Sequence, residues 1–316
     1  MTPQILPGKL HLKFREHIQS AVALPAGVTN GGLLRISTGF VCVVRNCTWC
    51  YPHHLGLAQQ APTNPVRSYL YAVFLDHNLN IQRTVMLSID EIPDGHLQKE
   101  VAFEDARLFS WRGRTMVLLS RSYRRGRGRV YDQYLGQLDL EDYRIRRVPL
   151  LYDVRAPQKN WNPLMADGAL YFDYMLQPRT ILHYEDGRAW HRWPSSRLKL
   201  PHKMRGDFAR GSAPAVKVPN GHLLASYHTC CPRPGERPDR EYFTLFAYMM
   251  PTPPFDIVAV TPELKLLSDG PDQQVQFLMG MVPRLDTVLL SYGVADWDNY
   301  LAEVSLEEID RRMVWL

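Results

Sequence analysis

The sequence predicts an all-β fold, a five-bladed β-propeller with a short C-terminal helix, spanning residues 1–316 as one domain. Three observations predict it. A hairpin pattern recurs five times, with tips near residues 39, 113, 168, 221 and 285. Two of these tips carry Asp167-Gly168 and Asn220-Gly221, dipeptides that accept the positive φ of a tight hairpin turn. Helical periodicity is thin outside the last dozen residues.

In chain order, the hairpins are LLRISTGFVCVVR (33–45), ARLFSWRGRTMVLLSRSY (106–123), PLMADGALYFDYML (163–176), PAVKVPNGHLLASYH (214–228) and VQFLMGMVPRLDTVLLSYG (275–293). Each joins two apolar strands through a polar tip. Tips lie 53 to 74 residues apart, room for about four strands each, which is the content of a propeller blade. The helix is expected over 305–315, SLEEIDRRMVW, where Leu306, Ile309 and Met313 share one face.

The totals exclude several classes. The chain has 316 residues, 45% of them hydrophobic, and a net charge of +5, too mild to point to nucleic acid. No apolar run approaches the roughly 18 residues of a membrane span. The opening MTPQILPGKLHLKF lacks the apolar core of a secretion signal, so a cytoplasmic protein is expected. Five cysteines without scaffold spacing do not read as a disulfide framework. There is no Gly-rich phosphate loop and no dinucleotide-binding fingerprint.

In a propeller, the inner strands surround a central channel, so polar residues beside the repeated hairpins converge while remaining distant in sequence. The candidates are Asn30 and Arg45, then Glu104, Asp105 and Arg107, then Lys159, Asn160 and Asn162. Arg210, His228 and Tyr242 follow from the fourth unit, and Tyr292 and Asp296 from the fifth. Acids and amides hydrogen-bond hydroxyls and aromatic rings stack on apolar faces, so the mixture suits a sugar. Glu104 and Asp105 stand side by side where the chain enters an apolar strand. A carboxylate there needs a partner or a task, because burying it alone is costly.

Four segments, FEDARLF (103–109), KNWNPLMADGALYFDYMLQP (159–178), RGSAPAVKVPNGHLLASYH (210–228) and LLSYGVADWDNYLAEVSLEEI (289–309), carry a resemblance. In this order and spacing they are similar to motifs of the five-bladed-propeller inverting β-mannoside phosphorylases and related β-1,2-mannosyltransferases. The resemblance spans roughly residues 28 to 310. It implies that Asp105 is the general acid, its proton reaching the glycosidic oxygen through a hydroxyl of the bound sugar. It implies that Asn30, Arg45, Glu104, Arg107 and Asp296 serve the sugar, and that Lys159, Asn160, His228 and Tyr242 lie where phosphate or the donor binds. This chain departs in three places. Ala106 replaces the proline of the family's Glu-Asp-Pro-Arg motif, Asn30-Gly31-Gly32 replaces Asn-Pro-Ser, and Gln177-Pro178 replaces Arg-Pro, with Arg179 nearby.

The resemblance implies an inverting carbohydrate-active enzyme, a glycosyltransferase or glycoside phosphorylase acting on a β-mannoside-like substrate. Phosphate or a nucleotide sugar would be the co-substrate, with no cofactor. A glycoside hydrolase with the same pocket and a non-catalytic sugar-binding propeller are the alternatives. Two other motifs are set aside. NCTWCYPHH (46–54) has a C-x-x-C pair, Cys47 and Cys50, with Cys42, His53 and His54 nearby, but no second knuckle to complete four ligands. No metal is expected, and Trp49 and Tyr51 instead offer stacking faces beside Arg45. RSYRRGRGR (121–129) holds five arginines and reads as a solvated loop, with phosphate attraction as its functional alternative.

Overall fold

The computed structural model describes residues 4–18, 27–47, 68–90, 101–125, 128–152, 159–176, 178–191, 193, 200, 204, 209–234, 240–268 and 275–316. Among these residues the strands form five separate sheets, and each predicted hairpin falls in a different one. The inner strands are Gly27–Ile36, Val101–Trp111, Asn162–Ala166, Ala209–Gly211 and Gln276–Pro283, each followed by antiparallel neighbours toward the outside.

The arrangement is propeller-like because each sheet has two buried faces. Along Gly39–Cys47, Phe40, Cys42 and Val44 pack toward the fifth sheet beside Val282 and Leu289. Val41 and Val43 point the other way, onto Phe103, Leu108 and Val117 of the second sheet. Alternate side chains of a strand face opposite sides, so a sheet buried on both faces must read as continuous apolar sequence, and VCVV does. The same partition recurs around the molecule. Met116 and Leu118 meet Trp161 and Phe172 of the third sheet. Leu164 and Tyr171 meet Tyr227 and Leu245 of the fourth. Leu224 and Phe246 meet Leu278 and Leu290 of the fifth. Five inter-sheet cores thus join five sheets into a closed ring.

Close approach of the inner strands depends on glycine. A Cβ on Gly32 would lie 2.0 Å from the Ala106 carbonyl oxygen of the second sheet, and a Cβ on Gly280 would lie 2.4 Å from the Leu33 nitrogen of the first. Backbone can come this near only where no side chain intervenes.

The ends of the chain stitch the ring. Lys9–Lys13 is the outer strand of the fifth sheet, antiparallel to Asp298–Ser305, while Gln4–Ile5 runs parallel to Leu264–Lys265 of the fourth. The predicted C-terminal helix is real but shorter than its periodicity implied, covering Leu306–Asp310. Val314 and Trp315 leave it to pair with Val260 and Ala259. Strand pairing outcompetes the last helical turn there, at a β-branched and an aromatic residue.

The second sheet corrects the reading of 121–129 as a solvated loop. Arg114–Arg125 and Gly128–Asp139 stay paired up to Arg125 and Gly128. Arg121 is buried, its Nε and Nη2 donating to Asp132 Oδ1 and Oδ2 at 2.8 and 2.5 Å.

Candidate active site

Four site residues share one backbone feature. Asn30, Asp105, Asn160 and Asp296 have φ of 54°, 59°, 67° and 50°. The left-handed region is unfavourable for most side chains, and Asn and Asp tolerate it best. Two of the four sit on bulges. In the first sheet the register passes from Thr29↔Arg45 to Gly32↔Val43, and in the second from Glu104↔Ser120 to Arg107↔Leu118. Each step places one extra residue on the inner strand, which re-aims a side chain. Asn160 precedes the third inner strand, and Asp296 lies in the turn between Thr287–Val294 and Asp298–Ser305.

The bulges bring the acids and amides together. Asn30 Nδ2 donates to Asp105 Oδ1 at 3.0 Å, and Thr29 Oγ1 donates to Asn30 Oδ1. Lys159 Nζ lies 3.1 Å from Asp105 Oδ2 and 3.3 Å from Glu104 Oε1. Arg45 Nη1 pairs with Glu104 Oε2 at 2.9 Å. Arg45 Nε donates to Ser68 Oγ, which donates to the Phe103 carbonyl.

Beneath this layer Arg107 is fully buried. It donates to the carbonyls of Ser212 (2.7 Å), Asp105 (3.1 Å) and Gly211 (3.3 Å), and to Asn160 Oδ1 (3.2 Å). With its oxygen facing Arg107, Asn160 turns its Nδ2 toward His228 Nε2, 3.4 Å away, and His228 Nδ1 lies 3.1 Å from Ser212 Oγ. A neutral imidazole that accepts at Nε2 donates at Nδ1, so Arg107, Asn160, His228 and Ser212 form a directed chain. The His228 ring also meets Phe277 edge-on at 4.5 Å, and the half-buried Tyr242 ring lies 6.0 Å away.

Charge state follows from this packing. Burial pushes the Asp105 carboxyl up, but Lys159, Arg107 and Arg45 together outweigh it and hold Asp105 at about 2. Burial pushes Asp296 up to about 6, with Asp105 and Glu104 raising it and Arg45 and Lys159 opposing. Burial pulls the Arg107 guanidinium down to about 10, with Asp105 opposing, so it stays charged at neutral pH. Burial also pushes the Tyr242 phenol up.

Burial, then Arg107 and Arg210, push the His228 imidazole down to about 3. Its ordinary value is 6.5, so the unfolded chain takes a proton that the fold refuses as pH drops. The stability owed to neutral His228 is complete above 6.5 and is lost as pH falls toward 3. In a nuclear magnetic resonance titration, His228 is expected to stay neutral from about pH 8 to about pH 5, where a free histidine would have titrated. A midpoint near 6.5 would mean that the His228 ring is open to water rather than buried.

Asn30, Arg45, Glu104, Asp105, Arg107, Lys159, Asn160 and His228 therefore form one connected cluster drawn from four sheets, with Asp296 facing it from the fifth and Tyr242 beside His228. Arg210 stands opposite His228 in register, and its charge acts on that ring. Two candidates lie elsewhere. Tyr292 is fully buried in the core between the fourth and fifth sheets, its hydroxyl donating to the Leu267 carbonyl. Asn162 is buried and donates to the Ser226 carbonyl at 2.8 Å. Arg179 does not take the place of a pocket cation. It is buried between the third and fourth sheets, donating to Asp173, to Tyr227 and to the Phe255 carbonyl. Ser68, Ser212 and Tyr131, whose ring centroid lies 5.5 Å from Lys159 Nζ, belong to the cluster and were absent from the sequence candidates. Ser212 follows Gly211 two positions after Arg210, a signal only in retrospect. Trp49, Cys50, Tyr51, His53 and His54, the Cys47 side chain and Gln177 lie outside the described residues.

No protein-family model matches this sequence. No curated protein matches it either. Solved structures do match. A β-1,2-mannobiose phosphorylase from Listeria innocua, solved with β-1,2-mannobiose, aligns with a TM-score of 0.62 at 16% identity, over 91% of this chain and 92% of that one. A mannose phosphorylase from Leishmania mexicana, in complex with a phosphate ion, aligns at 0.59 and 11% identity over 92% and 87%. A GDP-Man-dependent mannosyltransferase from the same organism aligns at 0.53 and 15% identity over 89% and 85%. The chain therefore shares the fold of these mannoside phosphorylases and of a mannosyltransferase over nearly its whole length, at low sequence identity to each.

Proposed function

We propose that this chain is an inverting glycosyl-transferring enzyme acting on a β-mannoside-like substrate, as a glycoside phosphorylase or glycosyltransferase. Its co-substrate would be phosphate or a nucleotide sugar, and it needs no cofactor. Each of the five sheets is one blade of the propeller in this reading. The observation that carries it is Asp105, a buried carboxylate on a left-handed bulge, reached by Asn30 of the first sheet and by Lys159 at the entrance to the third. The shared fold supports the same reading.

The roles follow from the chemistry of the groups. Asp105 delivers a proton to the leaving oxygen through a sugar hydroxyl. Asn30, Glu104 and Asp296 offer donors and acceptors to hydroxyls, and Arg45 holds Glu104 in place. Arg107 positions Asp105 and Asn160 from behind. Lys159 supplies an ammonium to phosphate oxygens, a charge-assisted bond of the stronger kind, with Asn160, His228 and Tyr242 on the same side. A phosphate oxygen is already a nucleophile, so this inverting displacement asks for one acid and no enzymatic base.

Hydrolysis is the second reading, and one observation favours it. Arg179 is held internally by Asp173 and Tyr227 rather than offered to a phosphate. Water would need a carboxylate to activate it, and Asp296 is a further carboxylate facing the cluster. Incubation with sugar 1-phosphates and nucleotide sugars plus mannoside acceptors separates the readings. A transfer product is expected. Free sugar as the sole product would favour hydrolysis, and binding without turnover of any donor would leave a sugar-binding protein.

A further inference from the structure

Asp105 is surrounded by three cations that differ in their freedom to move. Arg107 has donors committed to three carbonyls and to Asn160. Arg45 is tethered at Nε by Ser68 and at Nη1 by Glu104. Lys159 touches the two carboxylates and the face of Tyr131, and its side chain is 28% exposed where Arg107 is wholly buried. A lysine ammonium is a point charge on a flexible four-carbon stem, so it can swing where the arginines cannot.

The arrangement poses a chemical problem. A carboxyl held at about 2 is empty of protons at neutral pH, and an empty carboxylate cannot act as a general acid. We propose that Lys159 is a displaceable clamp: it holds Asp105 as a carboxylate in the free protein, and an entering phosphate group draws its ammonium away so that Asp105 takes up the proton it then delivers. This inference rests on the reading of Asp105 as the acid and of a phosphate-bearing co-substrate.

The charges facing Asp105 make the switch effective. Glu104 and Arg107 lie on its own strand, Arg45 comes from the first sheet, His228 from the fourth and Asp296 from the fifth. His228 is neutral. With Lys159 turned to the phosphate, Arg45 and Arg107 remain near Asp105, Arg45 is shared with Glu104 and Asp296, and the phosphate adds negative charge. Like charges favour the protonated acid. The proton comes from solvent. In the transfer, the bond from the anomeric carbon to the leaving oxygen breaks and a bond to a phosphate oxygen forms. The proton passes from Asp105 through the sugar hydroxyl to the leaving oxygen. Asp105 is left as a carboxylate, and Lys159 returns to it when the products depart.

Inorganic sulfate tests the clamp, because it carries no proton to exchange at about pH 5.5. Titration calorimetry in two buffers of different ionisation enthalpy counts the protons taken up per sulfate bound. The wild-type protein is expected to take up a fraction of a proton, and Asp105→Asn to bind sulfate with clearly less uptake, any remainder belonging to Asp296. Lys159→Gln is expected to bind sulfate about 10-fold more weakly or worse, the scale of one charged hydrogen bond. The carboxyl carbon resonance of Asp105, followed in the wild-type protein with and without sulfate, reads the same protonation with no substitution. Sulfate binding with no uptake, or with equal uptake in Asp105→Asn, would overturn the clamp and leave the phosphate reading standing. If neither sulfate nor phosphate binds the wild-type protein, the phosphate reading itself is overturned and the clamp with it.

Discussion

Asp105→Asn is expected to lower turnover by about 10²–10⁴-fold, the usual range for losing a general acid. The substitution keeps the shape and keeps an oxygen for Asn30 Nδ2, so the bulge should survive and circular dichroism should be unchanged. Lys159 loses one carboxylate and keeps Glu104 at 3.3 Å. Stability should respond with a defined sign. Asp105 titrates near 2 in the fold and near 3.8 outside it, so its carboxylate stabilises the protein above 3.8, and that contribution is lost as pH falls toward 2. The melting-temperature gap between wild type and variant should therefore close across that window. Glu104→Gln is the comparison, with a smaller effect on the chemical step because Glu104 pairs with Arg45 and Lys159 rather than carrying the proton. Near-normal turnover in Asp105→Asn would end the assignment.

What the sequence makes legible here is what is local. Each hairpin is written in a continuous stretch, with strand, tip and strand adjacent, so five recurrences reveal five sheets. The positions of Asn30, Glu104, Asp105, Lys159 and Asp296 follow, because residues at equivalent places in a ring must converge. Direction is harder. Arg107 and Arg179 look alike in sequence, cations near motif residues, yet their donors turn inward to carbonyls, Asn160, Asp173 and Tyr227. Nothing in a periodic pattern distinguishes an arginine that faces a ligand from one that pins two sheets. The pairing of Lys9–Lys13 with Asp298–Ser305 is equally hidden, since KLHLK is short, polar and nearly the whole chain away from its partner. The left-handed residues of the site are all Asn or Asp, the types that tolerate that conformation, so residue type carries part of the backbone geometry.

Arg107→Met is expected to be the most destabilising single change at the site, costing about 3–5 kcal/mol, the scale of breaking a buried charged network. Methionine matches the stem and fills much of the volume, so the loss isolates the guanidinium. It leaves the carbonyls of Ser212, Gly211 and Asp105 and Asn160 Oδ1 each short of a donor. These acceptors come from segments of the second, third and fourth sheets, so the cost falls on the inner ring rather than on one strand. Against a typical total of about 5–15 kcal/mol, such a loss is large, and the urea midpoint should drop accordingly. Arg121→Met supplies the contrast. Arg121 is also buried, but its partner Asp132 is on the next strand of the same sheet and 18% exposed, so water can take over that carboxylate. A smaller shift is expected there. Equal urea midpoints for Arg107→Met and wild type would show that the three sheets are held without this guanidinium, and that Asp105 and Asn160 owe their positions to the bulge and the left-handed backbone alone.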